Sequence, residues 1–462
     1  MVDQAFELKK KSGPALRWII LILISMVIAG NYYVYDVMSS IKSVMQAELG
    51  INNTQFGLFV SLYSFPNTFL LMAVLGGIIL DKWGIRKTGF LFVLFCTLGA
   101  ILTAIGSSEA FQNDTLIRPF FDSFLTEWSP EFKVIMLGRL LFGLGAETSI
   151  VVINKILVKW FKGKELATAF AINVAIARIG TAGALILSPV MVESQAGWES
   201  ALWLAAVLMG VGFIFFIVYM GFDKKKDKEE GEMDISAPEE EFQWSDIGKL
   251  ITNKSYIYVI FLCVTFYSAV FPFLAYCPDL LHNKYGVTLE FSGTLSSLVI
   301  WGTIVFTPLF GWFVDKRGKR ATLMIWGSLL LVVVHLILSL THLTPYIPMF
   351  LLGIAFSLVP AAMWPSVALI VDEKRLGTAY GMMASLQNLG LFAFPALAGY
   401  ILDTTNPGVT AEMVKAGEAS FDYTYTVLMF AGLGIVGLLF SFLLKREDSK
   451  TSGFDLEKGA ID

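Results

Sequence analysis

The sequence predicts an all-α integral membrane protein, with twelve transmembrane helices arranged as two related six-helix halves and both termini in the cytoplasm. Three observations support this prediction: apolar runs of membrane-spanning length, loops that alternate in charge, and a loop motif that occurs twice. Hydrophobic residues make up 56% of the chain and charged residues only 16%. Charged residues are nearer a quarter of a soluble domain, so the composition excludes a water-soluble globular protein.

Each apolar run has about the twenty residues that a helix needs to cross a bilayer. A backbone in lipid must satisfy its own hydrogen bonds, so these runs are predicted to be helices. The predicted spans are 16–38, 55–80, 88–106, 132–158, 166–190, 199–221, 255–279, 289–314, 321–341, 346–371, 377–402 and 423–445.

A polar stretch divides the chain. Asp223 to Trp244 is rich in Lys and then in Glu, with almost no apolar residue, which is typical of a solvated linker. The predicted organisation is an N-terminal six-helix half over 1–221, a cytoplasmic linker over 222–254, and a C-terminal six-helix half with a cytoplasmic tail over 255–462.

The loops alternate in charge along the chain. Grouped basic residues occur in one set of loops, at 82–87, 159–164, 224–226 and 316–320. The alternate loops hold isolated cations, namely Lys42, Arg118, Lys284 and Lys415. Lys and Arg accumulate in cytoplasmic loops, so both termini are predicted to be cytoplasmic, which requires an even number of spans.

Two stretches of the first half recur in the second. The loop Gly77–Lys87 follows the pattern G-x-x-x-D-[RK]-x-G-x-[RK]-[RK], and Gly311–Arg320 follows most of it after the eighth span. Leu166-Ala-Thr-Ala-Phe opens the fifth span and Leu376-Gly-Thr-Ala-Tyr the eleventh. Repeats at this spacing indicate a parallel duplication, the pattern of the two halves of major facilitator transporters.

The repeated loop motif predicts a structural and gating role. Its glycines permit a tight turn and close helix approach. Asp81 and Asp315 are expected to cap a helix or to pair with cations. Arg86 and Arg320 are likewise expected to have a structural or gating role. Substrate contact is the weaker alternative, because loops lie far from a site at the membrane midplane.

Two opposite charges fall within the spans. Glu147 lies about 20 Å along the fourth span and Arg178 about 18 Å along the fifth, at ~1.5 Å per residue. Ionisable residues at this depth are costly and mark functional sites by default. One interpretation is a structural ion pair, which gains little over apolar packing. The other is a cavity in which Arg178 binds a carboxylate through two parallel hydrogen bonds and Glu147 binds an ammonium group.

Other candidates are polar or aromatic residues within spans. Asp36 ends the first predicted span, where capping and substrate contact are equal alternatives, and Arg139 is expected to pair with the first helix. Asn388 occupies the repeat position of Arg178. The remaining candidates for substrate binding are Gln387, Trp364, Tyr267, Tyr63, Asn67, Tyr35 and Asn154.

Several strings are more specific than the repeated loop. They include Phe142–Glu147, Trp160–Leu166, Ala177–Gly180, Ala269–Phe273, Leu376–Gly381 and Gln387–Gly390. On these strings the chain resembles the animal lysosomal dipeptide uniporter family of the major facilitator superfamily, over nearly all of the membrane domain.

The resemblance implies that the chain carries dipeptides down their gradient by alternating access, with Glu147 and Arg178 holding the charged ends of the peptide. It also implies a glycosylated accessory subunit if the protein is animal-like, and otherwise a monomer. Ala146 and Lys155 depart from the family pattern. Neither end carries an acidic dileucine sorting signal, so a bacterial inner-membrane homologue is expected, with a lysosomal membrane the alternative for a eukaryotic chain.

Two other classes of function are alternatives. A proton-coupled carrier of organic anions or monocarboxylates would use Arg178 alone for the substrate and Glu147 for the proton. An enzyme or sensor is disfavoured, because no zinc, serine–histidine or phosphate-binding motif occurs. The three cysteines have no metal-ligand spacing. The sequence therefore predicts no cofactor, no metal and no nucleic acid; its partners are the lipid bilayer and a dipeptide or related zwitterion.

Overall fold

The computed structural model describes residues 14–163, 165–194, 197–230, 244–372, 375–450 and 455–459. These residues form helices, turns and loops without a β-strand, which confirms the predicted all-α class. Residues 231–243, the centre of the predicted linker, lie outside the described residues.

The helices of the described residues are, in chain order, α1 (Pro14–Ser40), α2 (Lys42–Leu49), α3 (Asn53–Leu62), α4 (Phe65–Phe69), α5 (Met72–Ser107), α6 (Glu109–Gln112), α7 (Arg118–Asp122), α8 (Pro130–Phe161), α9 (Leu166–Glu193), α10 (Glu199–Glu230), α11 (Trp244–Thr252), α12 (Lys254–Tyr285), α13 (Leu289–Arg317), α14 (Arg320–Leu340), α15 (Tyr346–Ile370), α16 (Leu376–Thr405), α17 (Ala411–Lys415) and α18 (Thr424–Asp448).

Eleven helices of the described chain are long and apolar enough to cross a membrane. The twelfth crossing is found in α5, whose helical course is interrupted at Gly84 with φ 75° and ψ 167°. Residues before Gly84 complete the second crossing with α3 and α4, and residues after it form the third. The predicted twelve helices in two halves are confirmed. The structure also has the expected turn at the motif glycine in both copies, since Gly318 of the second copy has a positive φ of 63°.

The second crossing differs from the single span predicted over 55–80. It consists of α3, α4 and the first part of α5, separated at residues 63–64 and 70–71. Pro66 lies in the first turn of α4, where a proline is tolerated because its missing N–H is not needed. Leu71 has a left-handed conformation with φ 52°, which is uncommon for a residue with a side chain.

The two halves pack in matching patterns around a central space. In the first half α1 packs against α9 and α10, and α5 packs against α8. In the second half α12 packs against α16 and α18, and α13 and α14 pack against α15. Between the halves α3 contacts α16, α9 contacts α13, and α1 contacts α12. Of the predicted linker over 222–254, α10 occupies the beginning and α11 the end.

Candidate substrate cavity

A cavity of about 280 Å³ lies between the two halves. Its wall is formed by α1, α8 and α9 of the first half and by α12, α13 and α16 of the second, with Tyr63 from the break in the second crossing. The lining residues are Asn31, Tyr32, Tyr35, Asp36, Tyr63, Phe142, Ala146, Glu147, Ile150, Arg178, Thr181, Phe271, Leu274, Ile300, Gln387 and Leu391.

The charge of this cavity comes from one half. Its carboxylates are Asp36 and Glu147 and its cation is Arg178, and all three belong to the first half. The second half contributes one polar side chain, Gln387, among apolar residues. A substrate with two charged ends would therefore meet both of its partners on the first half.

Arg178 faces the cavity with its guanidinium group available. The group lies over the ring of Tyr32 at 5.7 Å and over that of Phe356, from α15, at 5.1 Å. Within the described residues it forms neither an ion pair nor a hydrogen bond. Arginine stacks on aromatic faces while its planar N–H groups stay free for bidentate binding, so these rings position the guanidinium group and leave its N–H groups free.

Glu147 faces the same cavity from α8. The hydroxyl group of Tyr63 donates a hydrogen bond of 3.3 Å to its Oε1 atom, and the ring of Tyr63 packs edge-on against Tyr35 at 4.7 Å. No cation of the described chain pairs with Glu147. The structural ion pair between Glu147 and Arg178, the first interpretation of these charges, is therefore not formed in this structure.

Arg139 is buried behind the cavity wall. Its Nη1 atom donates to the carbonyl oxygens of Val34 and Tyr35 at 3.3 and 3.1 Å. Its guanidinium group lies over the rings of Tyr35 and Tyr63 at 4.9 and 5.4 Å. The expected pairing with the first helix is thus made through backbone carbonyls, and it fixes the tyrosines that line the cavity.

Asp36 lies in the cavity wall and not at the end of its span, where the sequence placed it. The first helix ends at Ser40, two residues beyond the predicted end, so Asp36 stands about one turn before the end of the helix. It shares the wall with Thr181 of α9. Asp36 therefore stands among the residues that face the cavity.

Five of the ten predicted substrate-binding residues lie outside the wall. The Trp364 Nε1–H group donates to the Tyr267 hydroxyl at 2.9 Å, behind Phe271. The Asn388 amide donates to the Ala384 carbonyl of its own helix at 3.1 Å. Asn67 is fully buried in α4, and Asn154 is an exposed residue of α8 that does not line the cavity. Glu147, Arg178, Gln387, Tyr63 and Tyr35 do line the cavity.

Two lining residues of α1 were not among the candidates drawn from the sequence. Asn31 and Tyr32 stand one helical turn before Tyr35 and Asp36, and all four line the cavity. Residues four apart lie on the same face of a helix. This polar stripe in an otherwise apolar span was a signal that could have identified the cavity-facing side of α1.

The halves are joined at one end of the bundle by the inter-half cluster, which comprises Lys42, Gln46, Asn53, Asp279 and Asp403. The Lys42 ammonium group donates to Asp279 Oδ2 at 2.7 Å, Gln46 Oε1 at 2.8 Å and Asn53 Oδ1 at 2.6 Å. Lys42 and Asp279 are each 1% exposed. Burial lowers the pKa of Lys42 from its ordinary value, and the charge of Asp279 opposes this shift.

Asp403 completes the cluster from α16. Its carboxylate accepts the backbone N–H groups of Asn53 and Thr54 at 3.0 and 2.7 Å. These groups open α3, and the first N–H groups of a helix have no partner within the helix. A carboxylate is also favoured there by the helix dipole. One half therefore caps a helix of the other.

The other end carries the basic loops at 82–87, 159–163 and 316–320 and is called the basic end. Each ion pair described at this end lies within one half, as in Arg375 with Asp372 of the second half. Arg86 and Lys159 both pair with Asp223 and Asp227 at 2.5 to 2.9 Å. Lys155 pairs with Asp81 at 2.5 Å. Among the described residues, no hydrogen bond or ion pair crosses between the halves at this end.

The second copy of the loop motif is covered by the chain's own residues 455–459. The backbone N–H groups of Lys319 and Arg320 donate to carbonyls of Glu457 and Leu456 at 3.2 and 2.9 Å. Arg320 Nη1 donates to the Lys458 carbonyl at 3.1 Å, whereas Asp315 forms no ion pair with a described residue. The two copies of the motif therefore have different partners.

A twelve-helix bundle of two six-helix halves, with a charged cavity between them that is closed at one end, defines a multi-pass membrane transporter. The family model of the Major Facilitator Superfamily matches residues 20–288 and 275–460. The chain belongs to this superfamily, and it is a transporter and not an enzyme.

Several curated proteins are similar over most of the chain. The "Lysosomal dipeptide transporter MFSD1" is 32% identical in Mus musculus and 31% identical in Homo sapiens, and each alignment covers 85% of this chain and 82% or 81% of the relative. A "Hexuronate transporter" of Bacillus subtilis is 23% identical, covering 85% of this chain and 89% of that protein.

Solved structures support the fold. The nucleoside transporter NupG superimposes with a TM-score of 0.67 at 14% identity, over 92% of this chain and 99% of its own. A bacterial homologue of the human lysosomal transporter Spinster, in an inward-facing and occupied conformation, gives 0.65 at 14% identity, over 95% and 98%.

Proposed function

We propose that the protein transports dipeptides across its membrane by alternating access, as a uniporter. The observation that carries this proposal is the unpaired Arg178, which shares one cavity with Glu147. The C-terminal carboxylate of a dipeptide binds Arg178, and its N-terminal ammonium group binds Glu147. The dipeptide-transporting relatives, at 31 to 32% identity over 85% of the chain, support the same substrate class.

The shape of the cavity suits a small zwitterion. The charged ends of a dipeptide are separated by at most ~7 Å, a span that side chains on the neighbouring helices α8 and α9 can bridge. The rings of Tyr32, Tyr35 and Phe271 supply apolar surface for the substrate's side chains. Asp36 adds a second carboxylate to the wall, so the ammonium end has two acceptors.

The described conformation corresponds to one stage of the transport cycle. The inter-half cluster closes the end opposite the basic loops, and no described bond joins the halves at the basic end. With the basic end in the cytoplasm, as the loop charges predict, the substrate leaves or enters from that side. Transport then requires the inter-half cluster to separate while the basic end closes.

End-blocked substrates test the two charge contacts separately. Uptake of alanyl-alanine into proteoliposomes should fall roughly 10- to 100-fold in Arg178→Ala and in Glu147→Gln, because each removes one charge-assisted contact of about 1.5–3 kcal/mol. C-terminal amidation of the peptide should weaken binding to the wild type and to Glu147→Gln, but not further in Arg178→Ala. N-acetylation should show the converse pattern.

Asn154→Ala is the matched control, since Asn154 is an exposed polar residue on the same helix as Glu147 and does not line the cavity. Binding is read as a rise in melting temperature, because a ligand of the folded state stabilises it. Undiminished uptake by both Arg178→Ala and Glu147→Gln would refute the site. Acidification of the vesicle interior that depends on the dipeptide would refute uniport.

A second candidate function is transport of organic anions. It is favoured by the Bacillus subtilis relative named for hexuronate and by the single unpaired cation of the described cavity wall. The two carboxylates of the same wall oppose it, because they repel an anion. Stabilisation by glucuronate or lactate, with no response to alanyl-alanine, would establish this alternative in place of the dipeptide.

A further inference from the structure

The loop between α5 and α8 exposes a group of bulky apolar side chains. Residues 108–129 contain the short helices α6 and α7. Leu116 is 84% exposed, Phe120 66% and Leu125 63%, with Ile117 and Phe124 also exposed. These five residues are called the loop patch. A contiguous exposed apolar patch of this kind marks a site of contact with a membrane or a partner.

The loop is a built structure, held by hydrogen bonds within itself and by an ion pair to α8. The carboxylate of Asp114 accepts the backbone N–H groups of Leu116 and Ile117. These N–H groups hold the pKa of Asp114 below its ordinary value. Arg118 pairs with Glu131 at 2.8 Å. The charged groups of Asp114 and Arg118 therefore have partners within the protein, and these contacts hold the loop in shape. Asn113, Asp122 and Glu127 of the same loop are exposed beside the loop patch.

A second anchor comes from the start of α8. The Lys133 ammonium group donates to the carbonyl oxygens of Phe121 and Phe124, at 2.7 Å and 2.5 Å. Lys133 is itself buried. The buried Lys133 ammonium group thus holds the loop backbone in place, and the loop patch faces outward as a result.

The position of the loop indicates what covers the loop patch. It packs on α5 and α8, where both helices end, so it lies at the level of the bilayer surface. On these same helices Leu98 and Leu137 are 41% and 45% exposed, as expected of side chains that face lipid. The loop patch lies beyond the ends of these same two helices. Bulky apolar and aromatic side chains at this level bind the interface between headgroups and acyl chains.

We propose that the loop patch is a membrane-interface anchor, with Leu116, Ile117, Phe120, Phe124 and Leu125 inserted among the lipids of the leaflet at the end opposite the basic loops. The anchor fixes the ends of α5 and α8 relative to the bilayer. The proposal is independent of the transported substrate.

A single environment-sensitive label can test the anchor. Native Cys96, Cys263 and Cys277 are buried, so a thiol-reactive NBD dye labels Phe120→Cys selectively. Asn113→Cys, at an exposed polar position of the same loop, is the matched control. The labelled proteins are placed in phosphatidylcholine vesicles with and without 5-doxyl phosphatidylcholine, and size-exclusion chromatography confirms that both variants are folded.

The anchor predicts blue-shifted emission at position 120, loss of fluorescence with the doxyl lipid, and protection from aqueous iodide. Position 113 should show the reverse pattern. Equal quenching of both positions by iodide would overturn the proposal in favour of a solvent-exposed loop. Protection of position 120 from both quenchers would overturn it in favour of a protein contact.

Discussion

The two ends of the bundle are held in different ways. At the end opposite the basic loops, Lys42 of one half is bonded to Asp279 of the other, and Asp403 caps α3 across the same boundary. At the basic end, Arg86 and Lys159 pair with acidic residues of their own half. The first set of bonds must break when the halves separate, whereas the second set can persist through the whole transport cycle.

The closed end also brings backbones into close contact. An added Cβ atom at Gly293 or Gly399 would lie 2.0 Å from a carbonyl oxygen of the other half, and one at Gly57 would lie 2.3 Å from the carbonyl oxygen of Pro395. At Gly77, near the basic end, nothing lies within 4 Å. Small residues let helices approach closely in membranes, and these three glycines are at contacts between the halves.

Removal of one charge from the inter-half cluster should have the largest effect. Lys42→Met leaves Asp279 buried without its cation, and loss of one partner of a buried pair costs about 3–5 kcal/mol. The variant should melt at lower temperature and open at this end. Spin labels at Glu48→Cys and Glu412→Cys, exposed on opposite halves, should move apart in pulsed electron resonance.

The double variant Lys42→Met with Asp279→Asn is the control for this experiment. It removes both charges, so it should recover part of the stability that the single variant loses. A double variant that is less stable than either single one would contradict a direct pairing of the two charges.

Methyl groups at the close contacts should open the same end without altering charge. Gly57→Ala and Gly399→Ala each force atoms together, and such overpacking costs about 1–3 kcal/mol. We expect a longer distance between the same spin labels and slower transport. Gly77→Ala, with open space around it, should leave both unchanged. An unaltered distance in Gly399→Ala would show that the contact does not hold the halves together.

A substitution at Leu71 tests the break in the second crossing. Leu71 lies between α4 and the segment of the second crossing that leads to the basic end. Its left-handed backbone costs a non-glycine residue about 1–2 kcal/mol. Leu71→Gly should therefore be more stable than Leu71→Ala by a comparable amount in thermal unfolding. Within a regular helix the order is the opposite, so an advantage for alanine would contradict the broken helix.

The smallest effect is expected at the basic end. Asp81→Asn removes the ion pair with Lys155, but Asp81 is largely exposed, and exposed pairs contribute about 0–1 kcal/mol. The melting temperature and the spin-label distance at the opposite end should change little. A large opening of the opposite end would show that the two ends are coupled through this pair.

The sequence predicted those features that depend on local chemistry. Apolar runs located the crossings, and Glu147 and Arg178 were identified because charges in apolar helices are costly. Asn388 was chosen by repeat symmetry, but its neighbour Gln387 lines the cavity. One residue turns a helix face by about 100° at 3.6 residues per turn, and the repeat does not fix that rotation.

The inter-half cluster could not be predicted in the same way. Lys42 looked like an isolated loop cation, and its partner Asp279 is 237 residues away in the chain. Asp403 lies 350 residues beyond Asn53. Neither aspartate stood out, since each lies near a helix end where a carboxylate is unremarkable. Only the packing of one half on the other brings these groups together.

The interrupted second crossing has a consequence for how the halves can move. Its counterpart in the second half, α13, is one helix over Leu289–Arg317, whereas the second crossing has joints at 63–64 and 70–71. The segment α3 is fastened to α16, and the segment before Gly84 carries the basic-end motif. No continuous helix joins these two segments, so a tilt of one need not be passed rigidly to the other.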